Sequence, residues 1–172
     1  MEDIIRIQRE TVDEHIRHEN AKNWSGVYDT FVHDETAFYD VVPFNTRFPG
    51  FAGVKGFYEA ANVAFPDFKI DVWGEYDSPG CSVREVTISG THKGDWCGLP
   101  GTGRHIRFQL AGLFLFHTGD QAGKLLAERI YLITTRSCAR YAARWTRPPS
   151  QTIRTRNPPR PHPQADRVFA GP

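Results

Sequence analysis

The side chains of this chain best suited to moving protons sit near the ends of strand-like segments. His92 lies in Gly90-Thr91-His92-Lys93-Gly94, and a second cluster, Gly98-Leu99-Pro100-Gly101-Thr102-Gly103-Arg104, follows closely. Strand-like sequence flanks the pair, from Val83 to Ser89 and from Ile106 to Phe116, which predicts a long hairpin with a Gly/Pro tip. His92 keeps the alternation of Val86, Ile88 and Gly90, so it faces a cavity if they do. A histidine at a cavity rim works as acid or base near neutral pH; its competing role is to pin the hairpin through backbone bonds. Glu128 shares strand parity with Ile130 and Leu132. Among apolar neighbours its carboxyl would be raised by desolvation and would serve as a base; the competing role is a solvent-facing or salt-bridged glutamate. Tyr39 and Asp40 alternate on an earlier strand, so only one of them faces inward. A tyrosine hydroxyl there would polarise a carbonyl oxygen; the alternative is a packed ring with its hydroxyl at the surface.

An apolar wall goes with these groups. Phe108, Phe114 and Phe116 share parity on one strand, with Leu110 and Gly112 between them, and Trp24 and Ile130 are further lining candidates. Gly112 in mid-strand removes side-chain bulk, marking a sheet bend or room for a ligand. Core packing explains the same set without a ligand. His15, His18 and His33 fall in helical or loop sequence and read as surface groups, and no pair of them has a metal-ligand setting with a carboxylate.

The elements that must position these residues follow from periodicity. Residues 3–22 predict a helix with Ile4, Ile5, Val12 and Ile16 on one stripe. A second helix spans about Trp24–Phe31, with Ser25 as its candidate cap. Glu35–Val42 predicts a first strand, 45–53 a loop, and Val54–Phe65 a third helix, stopped at Pro66. Four strands then follow as a meander, over about 68–76, 81–92, 104–117 and 124–133. Helices first and antiparallel strands last define an α+β domain. Helices packed on one face of a curved sheet leave a cone-shaped cavity.

Composition narrows the function class. Apolar residues are 40% and charged residues 24%, as in ordinary soluble domains. No run approaches the ~20 apolar residues of a membrane helix. The acidic start Met1-Glu2-Asp3 carries no signal-peptide pattern, and three cysteines (Cys81, Cys97, Cys138) form no metal-type spacing. The expectation is a cytoplasmic protein with no membrane partner. Residues 134–172 carry eight Arg and one acid, net +7, against net −6 for the 13 basic and 19 acidic residues of 1–133, together the +1 of the whole chain. A mildly acidic body argues against nucleic acid as partner, and the basic tail lacks the interleaved aromatics of a stacking platform. Apolar outward positions at Leu113 and Leu115 suggest a homodimer across the sheet.

Gly53 at the start of the third helix, Phe65-Pro66-Asp67 at its end, the Gly-Thr-His-x-Gly hairpin, and Gly123-Lys124-Leu125 followed by Glu128-Arg129-Ile130-Tyr131 together resemble the SnoaL-like polyketide cyclases of the nuclear transport factor 2-like superfamily. The resemblance covers about residues 8–133. It implies a cone-shaped, mainly antiparallel sheet against three N-terminal helices, and a small apolar ligand, cyclic or polyketide-like, in the cavity. It implies no metal and no organic cofactor. It also implies an acid/base set on the last two strands, but ungapped alignment puts the family's histidine position on Gly112, its acid on Ile130 and a nearby polar position on Leu110. Two functions follow: a cofactor-free cyclase or isomerase acting by proton transfer, or a non-catalytic binding or accessory protein. The family's last strand runs into an Asp and a Leu-Arg-Gln segment, whereas here Leu132 leads into Ile133-Thr134-Thr135-Arg136 and an Arg/Pro-rich tail holding seven of the twelve prolines. GC-rich DNA read out of frame gives such composition. A codon set for Leu132–Arg140 exists in which one restored C yields Leu-Asp-His-Asp-Pro-Val-Leu-Arg-Gln. The division expected is a domain over 1–133 and an atypical tail over 134–172, largely disordered because it buries too little apolar surface to offset its ordering entropy.

Overall fold

Three helices lie against one face of a curved, unclosed, six-stranded sheet in a computed structural model that describes residues 2–96 and 98–132. The expectations for the tail, from its boundary at 133 to its composition break, lie outside the described residues. The helices are α1 (Glu2–Ala21), α2 (Trp24–Asp29) and α3 (Gly50–Ala64). The strands are β1 (Phe38–Val41), β2 (Thr46–Pro49), β3 (Lys69–Ser78), β4 (Cys81–Thr91), β5 (His105–Phe116) and β6 (Leu125–Leu132). They run in the order β2-β1-β6-β5-β4-β3. All neighbours are antiparallel except β1 and β6, which pair parallel. The α+β architecture is as expected. Among the described residues no helix is long and apolar enough to cross a membrane.

Local chemistry explains most boundaries. The β3–β4 turn closes at Gly80, whose φ of 85° belongs to the left-handed region that glycine enters freely. The β3–β4 register shifts between Val72 and Gly74, a bulge of the kind that bends a strand and adds twist. The cap of α2 is Asn23 rather than Ser25: the Asn23 side chain accepts from Gly26 N, and Ser25 Oγ donates to Asn23 Oδ1 at 2.9 Å. The stretch 45–53 read as a loop contains β2 and the first turn of α3, a strand too short and too exposed to alternate visibly. Gly53 lets the two meet, since a Cβ there would stand 2.6 Å from the Phe48 carbonyl carbon.

The core forms where the inner sheet face meets the helices. Val12 and Ile16 of α1, Val27 of α2, Val54, Phe57 and Tyr58 of α3, and Tyr39, Val41, Phe114, Phe116, Leu125 and Ile130 of the sheet make one buried cluster. On β5 the inward set is Ile106, Phe108, Leu110, Gly112, Phe114 and Phe116, with burial increasing toward Phe116. The far end of the strand is filled by the helices, and the near end is left open as a cavity.

Candidate active site

The strand register fixes the floor of the cavity. Tyr39 pairs with Glu128 across β1–β6, and Glu128 pairs with Phe114 across β6–β5. The next row runs Val41, Ile130, Gly112 and Arg84. Inward parity therefore puts Tyr39 and Glu128 side by side, at 3% and 6% exposure. The cavity above them holds about 110 Å³, and its wall includes Phe57, Phe65, Trp96, Phe108, Leu110 and Leu132. Gly112 supplies room at the floor: a Cβ there would lie 3.8 Å from Glu128 Oε1.

Glu128 is held at both oxygens. Tyr39 donates its hydroxyl to Oε1 at 3.1 Å, and Tyr58 donates to Oε2 at 2.7 Å. Two phenols on two oxygens is the acceptor pattern of a carboxylate, which keeps lone pairs free for a ligand proton. Burial, and then the charges of Glu128 and Glu19, push both phenols well above the ordinary tyrosine range, so they stay donors. Tyr39 also stacks on Phe57, with ring centroids 3.5 Å apart.

His15 of α1 extends the cluster and overturns its reading as a surface group: it is fully buried. Its Nε2 lies 2.9 Å from the Tyr58 oxygen and its Nδ1 2.8 Å from Thr30 Oγ1. Since Tyr58 spends its one proton on Glu128, Nε2 carries a proton and donates to Tyr58. Thr30 either donates to Val27 O at 2.6 Å and accepts from Nδ1, or turns its proton to Nδ1. His15 is hydrogen-bonded at both nitrogens in either charge state. Glu19, one turn further along α1, is 6% exposed, lines the cavity, and approaches His15 Nε2 at 3.6 Å. Glu128 Oε2 is 3.5 Å from the same nitrogen. Burial and the neighbouring Glu128 charge raise the Glu19 carboxyl well above its ordinary range, against a smaller opposing effect of Lys22. His15, Glu19 and Glu128 each present one ligand atom within 4.8 Å of the others. The expectation that His15 has no carboxylate setting for a metal is thus corrected, because helical spacing brings Glu19 beside it and the fold brings Glu128.

The remaining site expectations divide. Phe108, Leu110, Gly112, Phe114 and Ile130 line the cavity; Trp24 does not, packing instead on the Tyr58 and Phe68 rings at 5.9 and 6.1 Å. Asp40 points away from Tyr39, as alternation requires, and is bound by Arg47 at 2.7 Å and Arg129 at 3.1 Å. Hydrogen bonds from Arg47 lower its carboxyl, outweighing a modest burial effect, with Arg129 adding to the shift. His92 is buried but is not a wall residue; its ring stacks on Phe65, which is, at 5.1 Å. Its backbone holds the hairpin tip, donating to Arg104 O at 2.9 Å and accepting from Thr102 N and Gly103 N. The structure does not bring His92 and Asp40 to Glu128. Sequence reasoning missed His15, Glu19, Tyr58 and the buried Arg84, which is held by Asp77 at 2.8 Å. The spacing of His15 and Glu19 with Val12 and Ile16 was the available signal.

A curved sheet wrapped on three helices around a cavity is the nuclear transport factor 2-like architecture. Residues 6–129 match the family of SnoaL-like polyketide cyclases, and the chain belongs to that family. Among curated proteins none matches it in sequence. Solved structures share the fold. A protein from Jannaschia sp. CCS1 named for the SnoaL-like polyketide cyclases is 18% identical with a TM-score of 0.66, covering 84% of this chain and 96% of its own. AclR from Streptomyces galilaeus, named as a hydroxylase, is 17% identical with a TM-score of 0.62, covering 81% and 98%. At these identities the likeness shows the fold alone, and the fold carries more than one named activity.

Proposed function

We propose that the chain binds a small apolar ligand, cyclic or polyketide-like, in this cavity and shifts a proton on it without metal or organic cofactor, with Glu128 as the base. One observation carries the reading: a carboxylate anchored at both oxygens by Tyr39 and Tyr58 at the floor of an aromatic-walled cavity, with the gap at Gly112 beside it. A carboxylate held beside a ligand carbon can take a proton from it. The two phenols fix its orientation. The second reading, a non-catalytic binding protein, is favoured by Gly112, Ile130 and Leu110 standing where the family's polar groups are expected. The working form we propose is a cytoplasmic homodimer joined across the outer sheet face, where Tyr76, Val83 and Leu113 share one outward row.

Two bicyclic probes separate the readings. 2-Naphthol imitates the enol of 2-tetralone, and 2-tetralone carries exchangeable hydrogens beside a carbonyl. The catalytic reading expects the chain to bind 2-naphthol and to speed deuterium uptake by 2-tetralone in heavy water, followed by NMR. Glu128→Gln then slows uptake roughly 100- to 10,000-fold. Binding of 2-naphthol without any uptake selects the non-catalytic reading.

A further inference from the structure

Among the described residues two buried side-chain atoms have no hydrogen-bond partner, Arg84 Nε and His92 Nε2. His92 stands outside the cavity wall, whereas Arg84 is part of it and is fully buried. A buried N–H without an acceptor carries its desolvation cost uncompensated, and native chains rarely leave one so. On a guanidinium that N–H is also a charge-assisted donor.

The other donors of Arg84 are engaged elsewhere. Nη1 donates to Asp77 Oδ1 at 2.8 Å and to Val83 O at 3.2 Å, and Nη2 donates to Asp13 Oδ1 at 3.4 Å. None of these three acceptor residues lines the cavity, so the Nε–H is the donor that Arg84 has left for it. Across β4–β5, Arg84 pairs with Gly112, the one inward position of β5 without a side chain. Directly paired residues on one face stand about 5 Å apart at Cβ, so an ordinary side chain at position 112 would lie against the Arg84 stem. Its absence leaves a slot beside that stem. The slot also borders Glu128, whose Oε1 is 3.8 Å from where a Gly112 Cβ would stand.

We propose that Arg84 Nε–H is the oxygen-recognition point of this cavity, receiving the carbonyl oxygen of an apolar ring ketone in the slot over Gly112. The inference rests on the ligand-binding part of the function proposed above and is independent of whether Glu128 takes a proton. Nε exposes almost none of its surface, so the bound state has the Arg84 stem leaning toward Gly112. Asp77 and Asp13 already flank the guanidinium. One free N–H therefore suits a neutral acceptor, since a ligand carboxylate would meet Glu128 across the slot. An apolar wall grips any ring of the right size. A single buried donor turns that into a preference for rings with an oxygen in one place, because the analogue lacking the oxygen leaves the donor unpaired.

The test compares 2-tetralone with tetralin, the same bicycle without its oxygen, and with 2-naphthoate, which carries an anion. Dissociation constants are measured by calorimetry on the full chain. The Arg84 Nε–H cross-peak, assigned through its own side-chain carbons, is followed by NMR. 2-Tetralone should bind at least about tenfold more tightly than tetralin, and should move the cross-peak downfield while tetralin leaves it in place. 2-Naphthoate should bind more weakly than 2-tetralone. Arg84→Lys keeps the charge beside Asp77 but lacks Nε. It should lose most of the preference for 2-tetralone while binding tetralin within about threefold of the parent. Should that variant not fold, the cross-peak of the parent still decides. 2-Tetralone bound with the cross-peak unmoved overturns the inference and leaves the pocket reading standing. Tighter binding of 2-naphthoate than of 2-tetralone overturns the assignment of a neutral oxygen. A chain that binds none of the three sinks the pocket reading along with the inference.

Discussion

Glu128 joins the buried polar groups of the cavity floor, and its two phenol partners differ in what they connect. Tyr39 ends at Glu128, whereas Tyr58 joins Glu128 to His15. Tyr39→Phe removes one orienting hydrogen bond and should slow 2-tetralone exchange about tenfold. Tyr58→Phe removes the shorter bond and also leaves the buried His15 Nε2 without its acceptor, and should slow it roughly 100-fold; equal effects would argue against a part for His15. A separate prediction concerns Asp77 at the end of β3. Burial alone would raise its carboxyl, but hydrogen bonds from Ser82, Arg84 and Arg9 override that and hold it at about 2, below the model-compound value of 3.8. A depressed folded pKa contributes stability that is present above pH ~4 and lost as pH falls toward ~2. Asp77→Asn leaves the buried Arg84 short of its partner and should cost about 3 kcal/mol at pH 7. In urea titrations the gap between variant and parent should narrow as pH drops from about 4 to 2.

At the scale of elements, α1 shows how a helix can be both a core element and a source of buried polar groups. Its buried positions are Gln8, Val12, His15, Ile16 and Glu19, one stripe at helical spacing with three polar members. Each has work inside: Gln8 donates to Ala122 O and accepts from Gly80 N, tying the helix to two turns, while Glu19 lines the cavity and His15 bonds Tyr58 and Thr30. Reading the stripe from apolar residues alone passes over these. Two glycines separate packing from ligand space. Gly53→Ala forces a Cβ against the Phe48 backbone and should destabilise the β2–α3 junction by about 1–3 kcal/mol. At Gly112 a Cβ meets the Phe114 ring at 3.4 Å and Glu128 Oε1 at 3.8 Å, ordinary contacts apart from a slight squeeze. Gly112→Ala should leave the melting temperature within a few degrees yet weaken 2-naphthol binding, because it fills space beside the carboxylate. Parental affinity in that variant would remove Glu128 from the ligand's surroundings.

For the whole molecule, the outer sheet face and the C-terminal segment raise the remaining questions. Tyr76 is 59% exposed in a row with Val83 and Leu113, an apolar strip on the face opposite the helices. Leu113→Glu should convert the proposed dimer to a monomer in light scattering, with 2-naphthol binding retained. The family match ends at residue 129 and β6 at Leu132, so the Arg/Pro-rich segment beyond should be dispensable for the pocket. A chain stopped after residue 133 should bind 2-naphthol like the parent. The frame-shift reading is decided by the gene: an unbroken frame across independent isolates rules it out.

Period and punctuation determined the α+β order, the meander, the hairpin tip and the inward parity of Glu128, because side-chain alternation along a strand is local geometry. They also limited the site to one of Tyr39 and Asp40, and the register chose Tyr39. What local pattern did not determine was which helix face meets which strand row. His15 and Glu128 are 113 positions apart in sequence, and their 3.5 Å approach exists only because α1 packs on the inner face of the sheet. The same holds for His92, whose parity pointed inward but whose strand ends at Thr91, leaving its ring to stack on Phe65. Burial turned polar residues of ordinary helical sequence into one hydrogen-bonded cluster, and burial is a property of the packed layers rather than of any one segment.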